Sequence, residues 1–202
     1  MREQYRSGIT PQQKIVSVNQ KLGNTGIKSQ QGTSTIIYDT LPVTATTTSF
    51  RFFEDSSSRV FPFSNTGSDG NKLGVGDTMV LASIMFTIFD RNNTTGQWTL
   101  VDTLNQNNNL NYLSFINFQI ANNQVIKRLA LSEQSPSFNK DVSDQNNVLD
   151  LQTQIVIPPL LPYVLELQLP SAFIGVASAG STRYLECQII GVGGIIAPRT
   201  TF

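Results

Sequence analysis

The run from Met79 to Phe89, MVLASIMFTIF, constrains this chain most, because it carries apolar side chains on both faces of one strand. Successive side chains of a strand point to opposite sides of its sheet. A strand that is apolar on both faces is central, with the core on one side and a second layer or another subunit on the other. Strict alternation places Val80, Ala82, Ile84, Phe86 and Ile88 on one face and Met79, Leu81, Met85 and Phe89 on the other.

The rest of the chain repeats short strand patterns separated by turn residues. We count about nine or ten strands, with turn signals roughly every 8 to 15 residues. Pro62, inside the pattern Arg59–Phe63, marks an edge strand or a bulge because proline cannot donate to a strand ladder. This spacing predicts an all-β antiparallel sandwich, with a jelly roll favoured. An immunoglobulin-like sandwich is the alternative, but its paired cysteines are absent, since Cys187 is the only cysteine.

Two regions are expected, a basic polar arm over residues 1–32 and a β-sandwich domain over residues 33–202. Residues 1–38 have a net charge of +4, from five cations against Glu3 alone. A sparse basic segment of this kind suits contact with a neighbouring subunit or weak contact with a nucleic acid. The five cations are Arg2, Arg6, Lys14, Lys21 and Lys28.

The arm carries at most one short helix. Thr10 is a suitable N-cap, Pro11 suits the first helical position, and Gln13 completes a capping box. The apolar stripe Ile15, Val18 and Leu22 is too short to stabilise a helix alone, so we expect it to pack on another subunit.

A low charge content indicates that part of the surface is hidden or covered by uncharged polar groups. Only 14% of the residues are charged, against about a quarter in a typical soluble domain. The apolar tail over residues 191–198 has no clear period and is either a last strand or a strip that packs on a neighbour. Ile195 and Ile196 are its candidate contact residues.

Most catalytic chemistries are excluded or disfavoured by composition. The chain contains no histidine, which removes serine–histidine and cysteine–histidine nucleophile pairs and the usual zinc sites. Cys187 lies between Leu185 and Ile189 in a strand pattern, where a small buried hydrophobe is expected. The sequence also shows no secretory signal and no apolar run long enough to span a membrane. We therefore expect a protein that is not an enzyme and needs no cofactor.

Two weaker candidate sites remain. Asp141, Asp144 and Asp150 offer oxygen ligands that a calcium ion could use, but their spacing is not that of an EF-hand. Trp98, beside Leu100, is expected in the core rather than on a sugar-binding platform.

Taken together, these features resemble the jelly-roll capsid proteins of icosahedral viruses and bacteriophages. The resemblance is one of overall plan, an arm followed by a strand series, and no specific motif carries it. It implies an arm on the inner side of a capsid, where its cations contact neighbours or weakly contact the genome. It also implies assembly into homo-oligomers with other virion proteins, synthesis in the host cytoplasm and residence in the virion.

The expected function is thus that of a virion structural subunit that assembles through its sandwich, arm and C-terminal strip. The alternative is a phage receptor-binding or carbohydrate-binding module on the same fold.

Overall fold

A computed structural model gives the fold as two antiparallel β-sheets packed face to face. It describes Gln13 and residues 31–54, 59–66, 71–74, 77–101, 114–130, 148–170 and 177–195. Nine strands lie in this part of the chain: β1 (Gln31–Pro42), β2 (Ser49–Phe52), β3 (Asp77–Asn92), β4 (Trp98–Leu100), β5 (Phe115–Ile120), β6 (Asn123–Ala130), β7 (Val148–Ile157), β8 (Tyr163–Gln168) and β9 (Ser181–Ile195).

The strands divide into two sheets of different size. Sheet A has the order β1-β9-β3-β4, and β7 also pairs with β3, beside the half of β3 that β4 leaves uncovered. Sheet B has the order β2-β8-β5-β6. The two sheets meet in one core, where the rings of Phe52 in β2 and Phe86 in β3 lie 5.9 Å apart. The antiparallel sandwich predicted from the sequence is confirmed, while the jelly roll stays a prediction.

The strand pairing is nested along the chain. The first strand pairs with the last, as β1 with β9, and the next pairs inward are β2 with β8, β3 with β7, and β5 with β6. Two further pairs, β3 with β9 and β5 with β8, join the nested pairs into the two sheets. The short strand β4 stands outside this scheme because it forms a hairpin with the end of β3.

The central position predicted for the Met79–Phe89 run is confirmed, but the predicted division of its faces is wrong. A β-bulge between Leu81 and Ser83 interrupts the register of β3 against both β7 and β9. A bulge inserts one extra residue and reverses the side-chain alternation beyond it. Side chains from both halves of the strand therefore share the core face: Met79, Leu81, Ile84, Phe86 and Ile88.

The bulge also brings two backbones into close approach. A Cβ placed on Gly191 of β9 would overlap the carbonyl oxygen of Val80 in β3. Glycine at this position thus allows β9 to run past the bulge as one strand. Because β9 extends to Ile195, residues 191–195 of the predicted apolar tail belong to the last strand.

The strand predicted over Arg59–Phe63 is wrong, and the helix predicted in the arm stays a prediction. Arg59–Phe63 is not a strand but a turn that contains a cis Phe61–Pro62 peptide bond. One hydrogen bond closes this turn: Phe63 N–H donates to the carbonyl oxygen of Val60 at 2.9 Å. The helix predicted in the arm lies outside the described residues except for Gln13, which is helical and exposed. No helix in the described part of the chain is long and apolar enough to cross a membrane.

Candidate functional site

An aromatic cluster lies on the face of sheet A that points away from the core. Its members are Phe63, Phe89, Trp98 and Tyr184, which we call the aromatic surface. The Trp98 ring centroid lies 5.1 Å from that of Tyr184, 5.5 Å from that of Phe63 and 6.1 Å from that of Phe89. All four side chains are partly exposed, so water reaches the cluster.

The strand register explains why these rings meet outside the core. Phe89 pairs with Tyr184, and the neighbouring pair of Ile88 with Leu185 points into the core. Because side chains alternate, Phe89 and Tyr184 point outward. Trp98 of β4 pairs with Arg91, two residues beyond Phe89 and on the same face. The expectation that Trp98 is a core residue is therefore wrong.

Arg91 supplies a cation to this cluster. Its guanidinium lies 5.7 Å from the ring centroid of Phe63 and 5.9 Å from that of Trp98, within the range of a cation–π interaction. The Arg91 Nε is buried and makes no hydrogen bond within the described part of the chain. The rings thus hold the guanidinium against sheet A, and this side chain contributes packing area as well as charge.

Exposed apolar side chains flank the aromatic surface. Phe61 is 82% exposed and Val60 is 72% exposed, and both lie in the turn that leads into Phe63. Leu100 is 50% exposed and follows Trp98 on the same face of β4. Scattered exposed apolar residues are normal, whereas large contiguous apolar groups are typical of interaction sites.

The segment over residues 59–66 is fastened to the free edge of β1. Arg59 Nε and Nη2 donate to the two oxygens of the fully buried Asp39 carboxylate, each at 2.7 Å. Further along, Tyr38 N–H donates to Asn65 Oδ1 and Asn65 Nδ2 donates to the carbonyl oxygen of Ile36, both at 2.8 Å. The Asn65 amide thus occupies edge groups of β1 that another strand would otherwise use.

A cavity of about 330 Å³ opens beside this segment at the end of the sandwich. Asn65 and Thr66 form one side of it, and Lys72 and Asp77 contribute charged groups. Its apolar lining comes from both sheets and from the loop before β3: Ile36, Ile37, Leu73, Met79 and Tyr163.

The outer face of sheet B carries a hydrogen-bonded polar cluster. Arg51, Glu166 and Asn117 stand side by side across β2, β8 and β5. Glu166 accepts hydrogen bonds from Gln168 at 2.8 Å, Asn117 at 3.2 Å and Ser49 at 3.3 Å. The hydrogen bond from Gln168, with those from Asn117 and Ser49 and the charge of Arg51, lowers the Glu166 pKa despite partial desolvation. Such hydrogen-bonded groups are costly to remove from water.

Groups suited to catalysis do not converge in the described part of the chain. No cluster of three or more cysteine, aspartate or glutamate side chains is found there. Cys187 is fully buried, and burial, with the charges of Asp39 and Glu186, raises the pKa of its thiol well above the ordinary value. This agrees with the small buried hydrophobe predicted from the sequence.

Most of the sequence-predicted contact residues lie outside the described residues. These are Arg2, Arg6, Lys14, Ile15, Val18, Lys21, Leu22, Lys28, Asp141, Asp144 and Ile196. Asp150 pairs with Ser83 in sheet A, and Ile195 ends β9 between Gln31 and Asp77. The roles predicted for all of them stay predictions.

Sequence reasoning missed the aromatic surface, the Asp39–Arg59 ion pair and the cavity. The stretch Phe61-Pro62-Phe63 carried a usable signal, because two large rings beside a proline fit a turn better than a buried strand. Nothing local indicated that Trp98 and Tyr184 would join Phe63, since these residues meet only through the register of β3 with β4 and β9.

No protein-family model, no curated protein and no solved structure matches this chain.

Proposed function

We propose that this chain is a non-enzymatic structural subunit of a virus particle that assembles with copies of itself through the outer face of sheet A. The observation that carries the proposal is the aromatic surface, a cluster of rings outside the core flanked by exposed Phe61, Val60 and Leu100. Interfaces between proteins are enriched in aromatic residues and arginine, which is the composition found here.

The nested strand pairing supports the viral part of the proposal. With β4 set aside, eight strands form two sheets of four, β1-β9-β3-β7 and β2-β8-β5-β6. Two four-stranded sheets with nested pairing are expected of a jelly roll, a fold that viral capsid proteins use. We therefore propose the jelly roll as the topology of this sandwich. Lectins and cupins use the same fold, so the topology alone does not decide the function.

The difference between the two sheets supports assembly. Burying the aromatic surface removes apolar area from water, at about 25 cal/mol for each Å². Burying the outer face of sheet B would instead desolvate Glu166 and its hydrogen-bonded amides, at a cost. A neighbouring subunit that covers the aromatic surface therefore gains more than one that covers the Glu166 cluster of sheet B.

The arm and the C-terminal strip complete the proposal. The five arm cations would contact neighbouring subunits or weakly contact the genome, and Ile15, Val18, Leu22, Ile195 and Ile196 would pack on other virion proteins or other copies. The protein would be made in the host cytoplasm and reside in the virion. Because β1 begins at Gln31, a chain that lacks residues 1–30 keeps all nine strands and tests the arm's part separately.

The oligomeric mass of the purified full-length protein tests the proposal. We expect dimers or larger closed assemblies by multi-angle light scattering and electron microscopy, with the assembled fraction increasing with protein concentration. A protein that remains monomeric up to the highest soluble concentration, with and without other virion proteins, would refute self-assembly as the function.

A carbohydrate-binding or receptor-binding role is the second candidate. Its support is the position of Trp98, which is partly exposed on the sheet surface rather than buried in the core. Sugars stack on exposed ring faces, but Phe63, Phe89, Tyr184 and Arg91 already pack around the Trp98 ring. Glycan-array binding by the wild-type protein that is lost in Trp98→Ala would favour this second role over the first.

A further inference from the structure

Phe61 is the most exposed large apolar side chain in the described part of the chain, at 82%. Val60, next to it, is 72% exposed, so the two form an apolar tip. The turn is closed by the hydrogen bond from Phe63 N–H to the carbonyl oxygen of Val60 at 2.9 Å. An apolar tip that is open to water is costly unless a partner covers it.

The turn that carries the tip is bonded to β1 on both sides of Phe61. On one side, Arg59 binds the buried Asp39 carboxylate through two hydrogen bonds of 2.7 Å. On the other side, Thr40 N–H donates to the carbonyl oxygen of Phe63 at 2.9 Å, and the Phe63 ring packs on Trp98. Because the turn is already ordered, a partner that binds Phe61 pays little additional entropy to fix it.

The same molecule contains an open cavity that suits a phenyl ring. A cavity of about 150 Å³ lined by apolar side chains is large enough to bind benzene. The cavity beside β1 measures about 330 Å³; Ile36, Leu73 and Met79 line it, with Asn65, Lys72 and Asp77 among its polar groups. It is at the lower end of the range of about 300–1,000 Å³ for small-molecule pockets, so a single inserted side chain fits it better than a large ligand.

We propose that Phe61 of one copy inserts into the cavity of a second copy, so that each copy supplies both the tip and the cavity. This deepens the proposed self-assembly and rests on it. One short segment carries both parts, because residues 59–66 include Phe61 and also supply Asn65 and Thr66 to the cavity. In the proposed contact the two copies are related by a two-fold axis, so that two Phe61–cavity pairs form an isologous interface. Buried aromatic anchors of this kind dominate interface energetics.

Paired variants of the full-length chain test this contact by sedimentation velocity. Phe61→Ala removes the tip and leaves the cavity, whereas Leu73→Trp fills the cavity and leaves the tip. We expect each variant alone to associate at least about tenfold more weakly than the wild type, as for loss of an aromatic hot spot. An equimolar mixture of the two retains one tip–cavity pair, so we expect it to recover association between unlike copies.

Controls separate folding from association. Ile36→Trp fills the cavity from a position that is 48% exposed and serves if Leu73→Trp unfolds. Val125→Ala removes an exposed apolar side chain from β6 of sheet B and is expected to leave association unchanged. Circular dichroism and thermal unfolding should show Phe61→Ala as stable as the wild type, because the ring makes few contacts within its own chain.

The outcomes distinguish this inference from the function on which it rests. If the wild type associates and Phe61→Ala associates equally well, the tip is not an anchor and the inference is wrong, while self-assembly stands. If Phe61→Ala weakens association but neither cavity-filling variant does, Phe61 binds elsewhere and the Phe61–cavity pairing is wrong. The pairing is also wrong if the equimolar mixture associates no better than the single variants. A wild type that never associates refutes the proposed function itself.

Discussion

Arg59 holds Asp39 through two hydrogen bonds of 2.7 Å, although the two residues are 20 positions apart and the Asp39 carboxylate is fully buried. The same carboxylate accepts the backbone N–H of Phe53 at 2.6 Å. One buried charge therefore joins β1, the end of β2 and the turn that carries Phe61. The geometry of that turn, and of any contact made through it, depends on this ion pair.

Removing Arg59 should destabilise the protein more than removing an exposed arginine. Arg59→Ala leaves the buried Asp39 charge without its cation, and we expect the free energy of unfolding to decrease by about 3 kcal/mol. Arg51→Ala is the matched control, because Arg51 forms an exposed ion pair with Glu54 at 2.9 Å. We expect this change to lower the free energy of unfolding by at most about 1 kcal/mol. Urea unfolding measures both values, and equal losses would contradict a structural role for the Asp39–Arg59 pair.

Acid unfolding should depend on Glu166. Its pKa is lower in the folded protein than the ordinary value of 4.5, so the stability that it contributes is complete above pH 4.5. This contribution is lost as the pH falls through the lower folded-state pKa. Glu166→Gln keeps the size of the side chain but removes the titrating group, so its unfolding free energy should decrease less steeply with acid than that of the wild type. Curves of unfolding free energy against pH that run parallel for the two proteins below pH 4.5 would contradict the prediction.

Cys187 should be unreactive in the folded protein. Burial raises the pKa of its thiol and excludes reagents, so iodoacetamide can reach it only after local or global unfolding. We expect labelling of the native protein to be slower by a factor on the order of one hundred or more than labelling in denaturant. Mass spectrometry over a time course measures the ratio, and rapid native labelling would show that the thiol is accessible.

Gly191→Ala should disrupt the passage of β9 past the bulge in β3. The added Cβ overlaps the carbonyl oxygen of Val80, which is backbone and cannot rotate away. We expect a loss of about 3 kcal/mol, at the upper end of the cost of overpacking. Gly180→Ala is the control, since its Cβ meets nothing and only its φ of +84° is unfavourable, at about 1 kcal/mol. Thermal unfolding compares the stability of the two variants. A smaller loss for Gly191→Ala than for Gly180→Ala would mean that the bulge shifts to accommodate the added Cβ, and would contradict the prediction.

Charge on the outer face of sheet A should weaken assembly without unfolding the subunit. Leu100→Glu places a carboxylate beside Trp98 at a position that is 50% exposed, and we expect association about tenfold weaker, which corresponds to about 1.4 kcal/mol. Val125→Glu makes the same change at a similarly exposed position of sheet B, 44% exposed, and should have no effect on association. Light scattering over a dilution series compares the association of the two variants. A larger effect of Val125→Glu would place the interface on sheet B and contradict the prediction.

The sequence by itself determined the all-β antiparallel sandwich, the central position of β3 and the burial of Cys187. These follow from local rules. Apolar alternation marks which residues of a strand face a core, and turn residues mark where strands end, so both can be read within a few positions.

Only the tertiary structure decided which faces and which distant residues come together. The bulge at Ala82 reverses which alternate side chains of β3 point into the core. It could not be predicted, because one extra residue in a strand ladder leaves no clear trace in the apolar pattern of the sequence. Asp39 meets Arg59, and Phe63 meets Trp98 and Tyr184, only because the strands pair in a nested order that brings distant segments side by side. The candidate interface is built from such pairings, since strand register, which depends on the whole sheet, places its rings on one face.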